Sequence, residues 1–284
     1  MKRISLTLLS LLIVTTLLLT ACGPKPTDAP IIIDTGRPTV EAPPGSALAK
    51  IREAGVLIVG TSADYPPFEF INASNDFDGF DIALIREIGT RMGVRVEIKD
   101  MAFDGLIAAL RAGQIDAIVA AMSATPDRAQ QVTFSMNYYV GTDAILVATG
   151  SGLTFTDAKE IAGYRVGVQT GTIHEQWVEE ELIATGLLQA ANFTRYERAD
   201  QAVLDLKNGR IDVVAMDFFA ANAYLAQGGI ELALEQNLAG ENMAVALPLG
   251  ATELQTEIDL IIQELQEEGF ITRLGEQYLA GGLE

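Results

Sequence analysis

Leu110-Arg111-Ala112-Gly113-Gln114-Ile115-Asp116-Ala117-Ile118-Val119 recurs further along the chain as Leu206-Lys207-Asn208-Gly209-Arg210-Ile211-Asp212-Val213-Val214-Ala215. Each copy reads as the end of a helix, a glycine that stops it, a polar or basic residue, Ile-Asp, and a buried apolar strand. One copy is an ordinary helix-to-strand turn. Two copies in the same register point to two similar lobes.

Working outward, residues 56–59 are a short β-branched run closed by Gly60 and Thr61, which reads as a buried strand. Ile82, Leu84, Ile85, Ile88 and Met92 then recur at helical spacing until Gly93, residues 94–98 alternate as a strand, and Leu106, Ile107 and Leu110 lie on a further helix. Strands alternating with helices predict an α/β fold with a largely parallel sheet covered on both faces. The apolar runs 144–148 and 243–247 are the expected connections between lobes, and an amphipathic helix over 253–267 returns to the first. Lobe 1 then comprises 48–143 with 244–284, and lobe 2 comprises 144–243. Two antiparallel crossing strands make a hinge, since small dihedral changes in a few residues swing one lobe against the other.

The N-terminus decides the compartment. Met1, Lys2 and Arg3 precede an apolar run, the pattern of a secretory signal peptide over residues 1–21. Its end, Leu19-Thr20-Ala21-Cys22, resembles a bacterial lipobox, and Cys22 is the chain's single cysteine. Lipidation of Cys22 is the expectation; an uncleaved anchor and a secreted protein with one stray cysteine are the alternatives. Pro24, Pro26, Pro30, Pro38, Pro43 and Pro44 make residues 22–47 a stiff, extended tether. No later stretch approaches the roughly 20 apolar residues that span a bilayer, so the membrane is met only through the N-terminal lipid. A formal charge of −19, more negative once Lys2 and Arg3 leave, excludes nucleic acid as a partner. Without a second cysteine no disulfide supports the fold, and no His, Cys or acid cluster has metal-ligand spacing, so neither a metal nor a cofactor is expected.

Ligands of open parallel sheets bind beyond the carboxyl ends of strands. Four such loops hold Ser62, Asp64, Tyr65 and Glu69; then Ala121, Ser123 and Arg128; then Gln169, Thr172 and His174; then Asp217. An arginine, an aspartate, small hydroxyls and rings suit a zwitterion. A carboxylate takes a bidentate guanidinium with backbone N–H groups, and an ammonium takes a carboxylate.

Gly79-Phe80-Asp81-Ile82, Tyr65-Pro66-Pro67-Phe68-Glu69, Met122-Ser123-Ala124-Thr125-Pro126-Asp127-Arg128, Val166-Gly167-Val168-Gln169-Thr170-Gly171-Thr172 and Met216-Asp217 together resemble the family 3 extracellular solute-binding proteins, polar amino-acid receptors of ABC importers. The resemblance covers about residues 48 to 280. It implies a two-lobed type II periplasmic-binding-protein fold with two hinge strands, a monomer in the cell envelope outside the cytoplasm, and permease subunits as partners. It further implies that Arg128 clamps the ligand α-carboxylate with help from Ser123 and Thr172. Asp217 would hold the α-ammonium beside the Ala121 carbonyl, and Tyr65 and Phe80 would sandwich the side chain. Ser62, Gln169 and His174 would set selectivity at its tip. Ala83 and Asn137 depart from the family pattern, and Ser62 stands where several receptors for cationic or amide side chains carry aspartate, which leaves a basic and a polar ligand both open.

A binding protein without catalytic residues is the leading reading. A cyclohexadienyl-dehydratase-like enzyme on the same scaffold is the alternative, with Glu69, Asp64 or His174 as its available acids.

Overall fold

A computed structural model of the chain describes residues 39–238 and 240–279. The signal peptide, Cys22 and the prolines up to Pro38 lie outside the described residues. Val40 and Ala42, within the expected tether, pack against the first lobe, and Arg52 donates to the Val40 carbonyl at 2.9 Å.

In chain order the first lobe runs α1 (Ala47–Ala54), β1 (Val56–Thr61), the small three-stranded sheet β2 (Asp64–Tyr65), β3 (Glu69–Ile71) and β4 (Phe77–Asp78), α2 (Phe80–Met92), β5 (Arg95–Asp100), α3 (Leu106–Arg111), β6 (Ala117–Ile118), α4 (Pro126–Ala129) and β7 (Val132–Gly141). The second runs β8 (Asp143–Ala148), β9 (Val166–Gln169), α5 (Ile173–Trp177), β10 (Phe193–Tyr196), α6 (Ala199–Lys207), β11 (Val213–Asp217), α7 (Phe218–Leu225) and β12 (Ile230–Glu235). β13 (Glu241–Pro248), α8 (Thr252–Glu267) and α9 (Phe270–Tyr278) complete the order.

The main sheets have matching strand orders, β5-β1-β6-β13-β7 and β10-β9-β11-β8-β12. In each, three strands are parallel and the last two are antiparallel to them or to one another, so the sheets are mixed rather than largely parallel. The antiparallel members include the strands next to the crossings. The runs expected as connections lie inside one sheet each: 144–148 in β8, 243–247 in β13. The chain passes between sheets just ahead of each, at Thr142 and between Glu235 and Glu241. β7 and β13 pair antiparallel up to Gly141 and Glu241, so the two passages leave the first sheet side by side.

The sequence repeat is a repeat of hydrogen bonds. Gly113 and Gly209 both stop their helices at φ 68°, a left-handed backbone that glycine adopts without steric cost. Asp116 N donates to the Ile58 carbonyl at 2.7 Å while Asp116 Oδ2 accepts from Ile58 N at 2.9 Å. Asp212 does the same with Arg165, at 2.8 and 2.9 Å. Each aspartate thus fixes the register of a parallel strand against its neighbour. Gly60 and Gly167 make room for the repeated isoleucines: a Cβ at either would lie 2.5 Å from Cδ1 of Ile115 or Ile211.

Each main sheet separates two apolar cores, as period-two alternation requires. Ala117 and Val119 face one cluster of the first lobe, Ile118 and Ala120 the other; in the second lobe Val213 and Ala215 alternate with Val214 and Met216. The stripe Leu254, Ile258, Ile261, Ile262 and Leu265 buries α8 in the first lobe against α2.

Candidate functional site

The carboxyl ends of the parallel strands of both lobes face one cleft. Ser62, Tyr65, Ala121, Ser123 and Arg128 line it from the first lobe, and Gln169, Thr172 and His174 from the second, together with Glu69, Phe103 and Ile173.

Arg128 sits in the single turn α4, whose start is capped by Thr125 Oγ1 accepting from Arg128 N at 3.3 Å. Its guanidinium donates to the Ser123 carbonyl at 2.7 Å and, across the cleft, to the Gly171 carbonyl at 2.9 Å. It lies over the Phe103 ring, 5.4 Å from the centroid, where a cation is attracted by the ring face. The approach of the lobes is close here, for a Cβ on Gly171 would sit 2.9 Å from Asp104 Cβ.

Thr172 starts α5: its hydroxyl accepts from Glu175 N at 3.2 Å and donates to the Gln169 carbonyl at 2.7 Å. In the same turn Gly171 N donates to Glu175 Oε2 at 2.5 Å. One residue past Ile173, His174 is buried, with Nε2 2.7 Å from Asp143 Oδ1.

Asp217 closes β11 and caps α7, with Oδ1 accepting from Phe219 N at 2.8 Å and Ala220 N at 3.0 Å. Its Oδ2 is buried with no hydrogen-bond partner, and its N–H donates to the Tyr65 hydroxyl at 2.9 Å. Burial pushes this carboxyl up to about 7, against the capping N–H groups and the nearby His174. Asp217 is thus sealed behind Tyr65 and does not line the cleft.

Asp64 is a latch between the lobes. Ser62 Oγ donates to Oδ1 at 2.7 Å; Ala199 N, at the start of α6, donates to Oδ2 at 2.6 Å, and Gln169 Nε2 reaches the same oxygen at 3.3 Å. The Tyr224 hydroxyl adds a bond to the Asp64 carbonyl at 2.6 Å. Ser62 and Gln169, expected at the ligand tip, thus line the cleft while binding the latch.

Glu69 and Asp81 are two more buried acids. Asp81 Oδ2 accepts from Ala121 N at 2.7 Å and the Tyr138 hydroxyl at 2.8 Å, and Ala121 turns toward it with φ 45°. Burial raises Asp81 to about 7 and, with Asp81 and Asp64 as neighbouring negative charges, holds Glu69 well above the usual carboxylate range.

Phe80 is a correction. It is fully buried among Phe68, Tyr138 and Tyr139, on the core side of the first lobe, and touches no part of the cleft. Gly79 turns it inward: that backbone runs at φ 125°, and a Cβ there would meet the Phe68 carbonyl oxygen at 2.2 Å. The ring that lines the cleft together with Tyr65 is Phe103, from the loop after β5. The strand-end rule that located the other four loops also applies to this one.

Residues 57–281 match the bacterial extracellular solute-binding proteins, family 3. The chain belongs to this family. ABC transporter arginine-binding protein 1 of Escherichia coli (strain K12) is 30% identical over 224 residues, covering 77% of this chain and 88% of that protein. An ancestral arginine-binding protein bound to arginine superposes with a TM-score of 0.73 at 34% identity, covering 79% of this chain and 98% of that one. An ancestral amino acid-binding protein that is a precursor of cyclohexadienyl dehydratase gives a TM-score of 0.75 at 28% identity, covering 82% and all of that chain. As a family 3 solute-binding protein the chain has the two-lobed α/β architecture of these neighbours. Among the described residues of this family member no helix is long and apolar enough to cross a membrane, and no group of three His, Cys, Asp or Glu is placed to hold a metal.

Proposed function

We propose that the chain serves an amino-acid ABC importer outside the cytoplasm, closing its two lobes on one free amino acid with a basic side chain. Glu69 carries this reading: a carboxyl 1% exposed, in the cleft wall, whose Oε2 has no hydrogen-bond partner. A buried carboxyl in that state gains most from a cation. Of the basic and polar ligands that the sequence left open, the acidic wall favours the basic one. Relatives named as arginine-binding support it. In this reading Arg128, Ser123 and the N-terminus of α5 at Thr172 take the α-carboxylate, Asp217 takes the α-ammonium after Tyr65 yields its N–H, and Tyr65 and Phe103 enclose the aliphatic stem. The two lobes, which the chain joins at Thr142 and between Glu235 and Glu241, close about the hinge. Cys22 carries the lipid, the chain between it and the residues packed on the first lobe from Val40 acts as the tether, and permease subunits receive the closed monomer. A thermal-shift panel of the standard amino acids tests it, since a ligand that binds only the native state raises its melting temperature. Arginine, lysine or histidine should give the largest rise. A rise with acidic or apolar amino acids alone would sink the assignment.

One observation favours the dehydratase reading as well: Glu69, an acid that burial holds well above the usual carboxylate range, faces the cleft. Turnover of prephenate or arogenate by the purified protein, lost in Glu69→Gln, would establish it.

A further inference from the structure

Asp64, in β2, takes up the hydrogen-bond donors of two side chains that line the cleft from opposite lobes. Ser62 Oγ lies 2.7 Å from Asp64 Oδ1, and Gln169 Nε2 lies 3.3 Å from Asp64 Oδ2. A carboxylate only accepts, so the hydroxyl proton of Ser62 is committed to Asp64. The second N–H of Gln169 goes to the Glu197 carbonyl, also at 3.3 Å. Turning the amide over would set its oxygen against two acceptors, so Nε2 stays between them and Oε1 is left over. What these two side chains keep for a ligand is therefore acceptor capacity, in the cleft that Glu69 also lines.

The geometry points to Asp64 as the residue that sets the hydrogen-bond polarity of the cleft: by holding Ser62 and Gln169 as acceptors, it selects a ligand side chain whose tip only donates. This rests on the basic-ligand reading above. A guanidinium or an ammonium carries donors and no acceptor. The ureido tip of citrulline, the uncharged isostere of arginine, has an oxygen that meets another oxygen at Ser62 or Gln169. Asp64 does not line the cleft itself, so it is a positioning residue that works through the two that do.

Asp64 is itself held in place. Ala199 N donates to Oδ2 at 2.6 Å, so with Gln169 this oxygen has two donors and acts as an acceptor. The N-cap residue of α6 is Arg198, which makes no side-chain capping bond, and Asp64 caps the helix from the opposite lobe instead. Arg198 adds a bond to the Ala63 carbonyl at 3.4 Å and an ion pair with Asp100 at 3.9 Å. Burial raises the Asp64 carboxyl, and the Ser62 bond, the Arg198 charge and the Ala199 N–H oppose that rise. Gln169 and Ala199 belong to the second lobe, so Gln169 is fixed as an acceptor only when the lobes meet. Selection is thus applied on closure.

Titration calorimetry of the whole chain with arginine and with citrulline reads this selection as a ratio of two dissociation constants. In Asp64→Asn the amide oxygen keeps the Ala199 N–H, and the amide nitrogen faces Ser62 Oγ as a donor, which frees the hydroxyl proton for the cleft. The preference for arginine should fall about tenfold or more, the scale of one hydrogen bond to a charged group. A purely structural role in holding the lobes together would weaken both ligands alike and leave the ratio unmoved. Losing the Asp64 charge lowers the ratio too, but by the same factor whether or not Ser62 has a hydroxyl. The substitution is therefore repeated in Ser62→Ala, where the further drop should be about threefold or less. Ser62→Ala alone, with Asp64 intact, should also lower the ratio, and it serves if Asp64→Asn does not fold. A ratio unmoved in either single variant, or equal drops in both backgrounds, would overturn the role of Asp64 and leave basic-ligand binding intact. A chain that binds no basic amino acid overturns both.

Discussion

Asp143 holds His174 and the second interlobe passage with the two oxygens of one carboxylate: Oδ1 lies 2.7 Å from His174 Nε2, and Oδ2 accepts from Leu238 N at 2.6 Å. The Asp143 carbonyl adds a bond from Gln236 N at 3.0 Å. Asp143 is itself the first residue after the other passage. A side chain in the cleft wall and both connections between lobes are therefore fixed by one fully buried residue.

Asp143→Asn should weaken amino-acid binding about tenfold, the scale of one hydrogen bond to a charged group, with every group proposed to touch ligand still present. Calorimetry gives the constant, and small-angle scattering of the ligand-bound form should show a larger radius of gyration. An unchanged constant with an unchanged radius would show that the carboxylate does not govern closure.

Arg128→Ala should abolish binding of every amino acid tested, and Arg128→Lys should recover little, because an ammonium cannot replace a planar fork of donors. Retained micromolar affinity in the alanine variant would remove Arg128 from the site. The loss of its bond to Gly171 is separated from ligand contact by comparing unliganded melting temperatures.

Phe103 and Phe80 should behave in opposite ways. Phe103→Ala opens the cleft wall under Arg128 and should cost roughly tenfold in affinity with little change in denaturant midpoint. Phe80→Ala empties a packed core and should cost about 3–5 kcal/mol of stability, read from chemical unfolding. The reverse pattern would place the stacking ring at Phe80 after all.

Stability should fall as pH rises. Asp81 and Asp217 titrate near 7 in the folded chain because of burial, well above an unfolded aspartate. Between about pH 4 and 7 the unfolded chain has released protons that the folded chain keeps, so raising pH favours unfolding, and the loss is complete above about 7. The unliganded melting temperature should drop by several degrees from pH 5 to pH 8, and saturating arginine should flatten that slope by supplying its α-ammonium to Asp217. A melting temperature that rises over this interval would contradict the assignment of these protons.

The repeat was legible because its parts are local: a glycine after a helix, an aspartate before a strand, and an alternation of period two all act within a few residues. Loops at strand ends were legible for the same reason, and Phe103 follows that rule from β5. Phe80 was not, since a ring at a helix start is equally compatible with cleft and core until Gly79's close approach to Phe68 is known. The Asp64 latch on Ala199 and the Asp143 bond to Leu238 join residues 135 and 95 positions apart. Nothing local marks such partners. The passages between lobes were placed a few residues late because apolar runs mark burial inside a sheet, whereas a crossing needs only a short irregular segment.

The lobes also exchange aromatic rings. Tyr65 of the first lobe packs against the second lobe's core, and Phe219 of the second packs against the first, meeting Tyr139 at 6.1 Å between centroids. Opening returns both rings to water together, so the swing between forms carries a heat-capacity change of its own. Apolar hydration weakens as a driving force on cooling, and the balance between open and closed chains becomes a thermometer: the closed population, with no ligand present, should shrink in the cold.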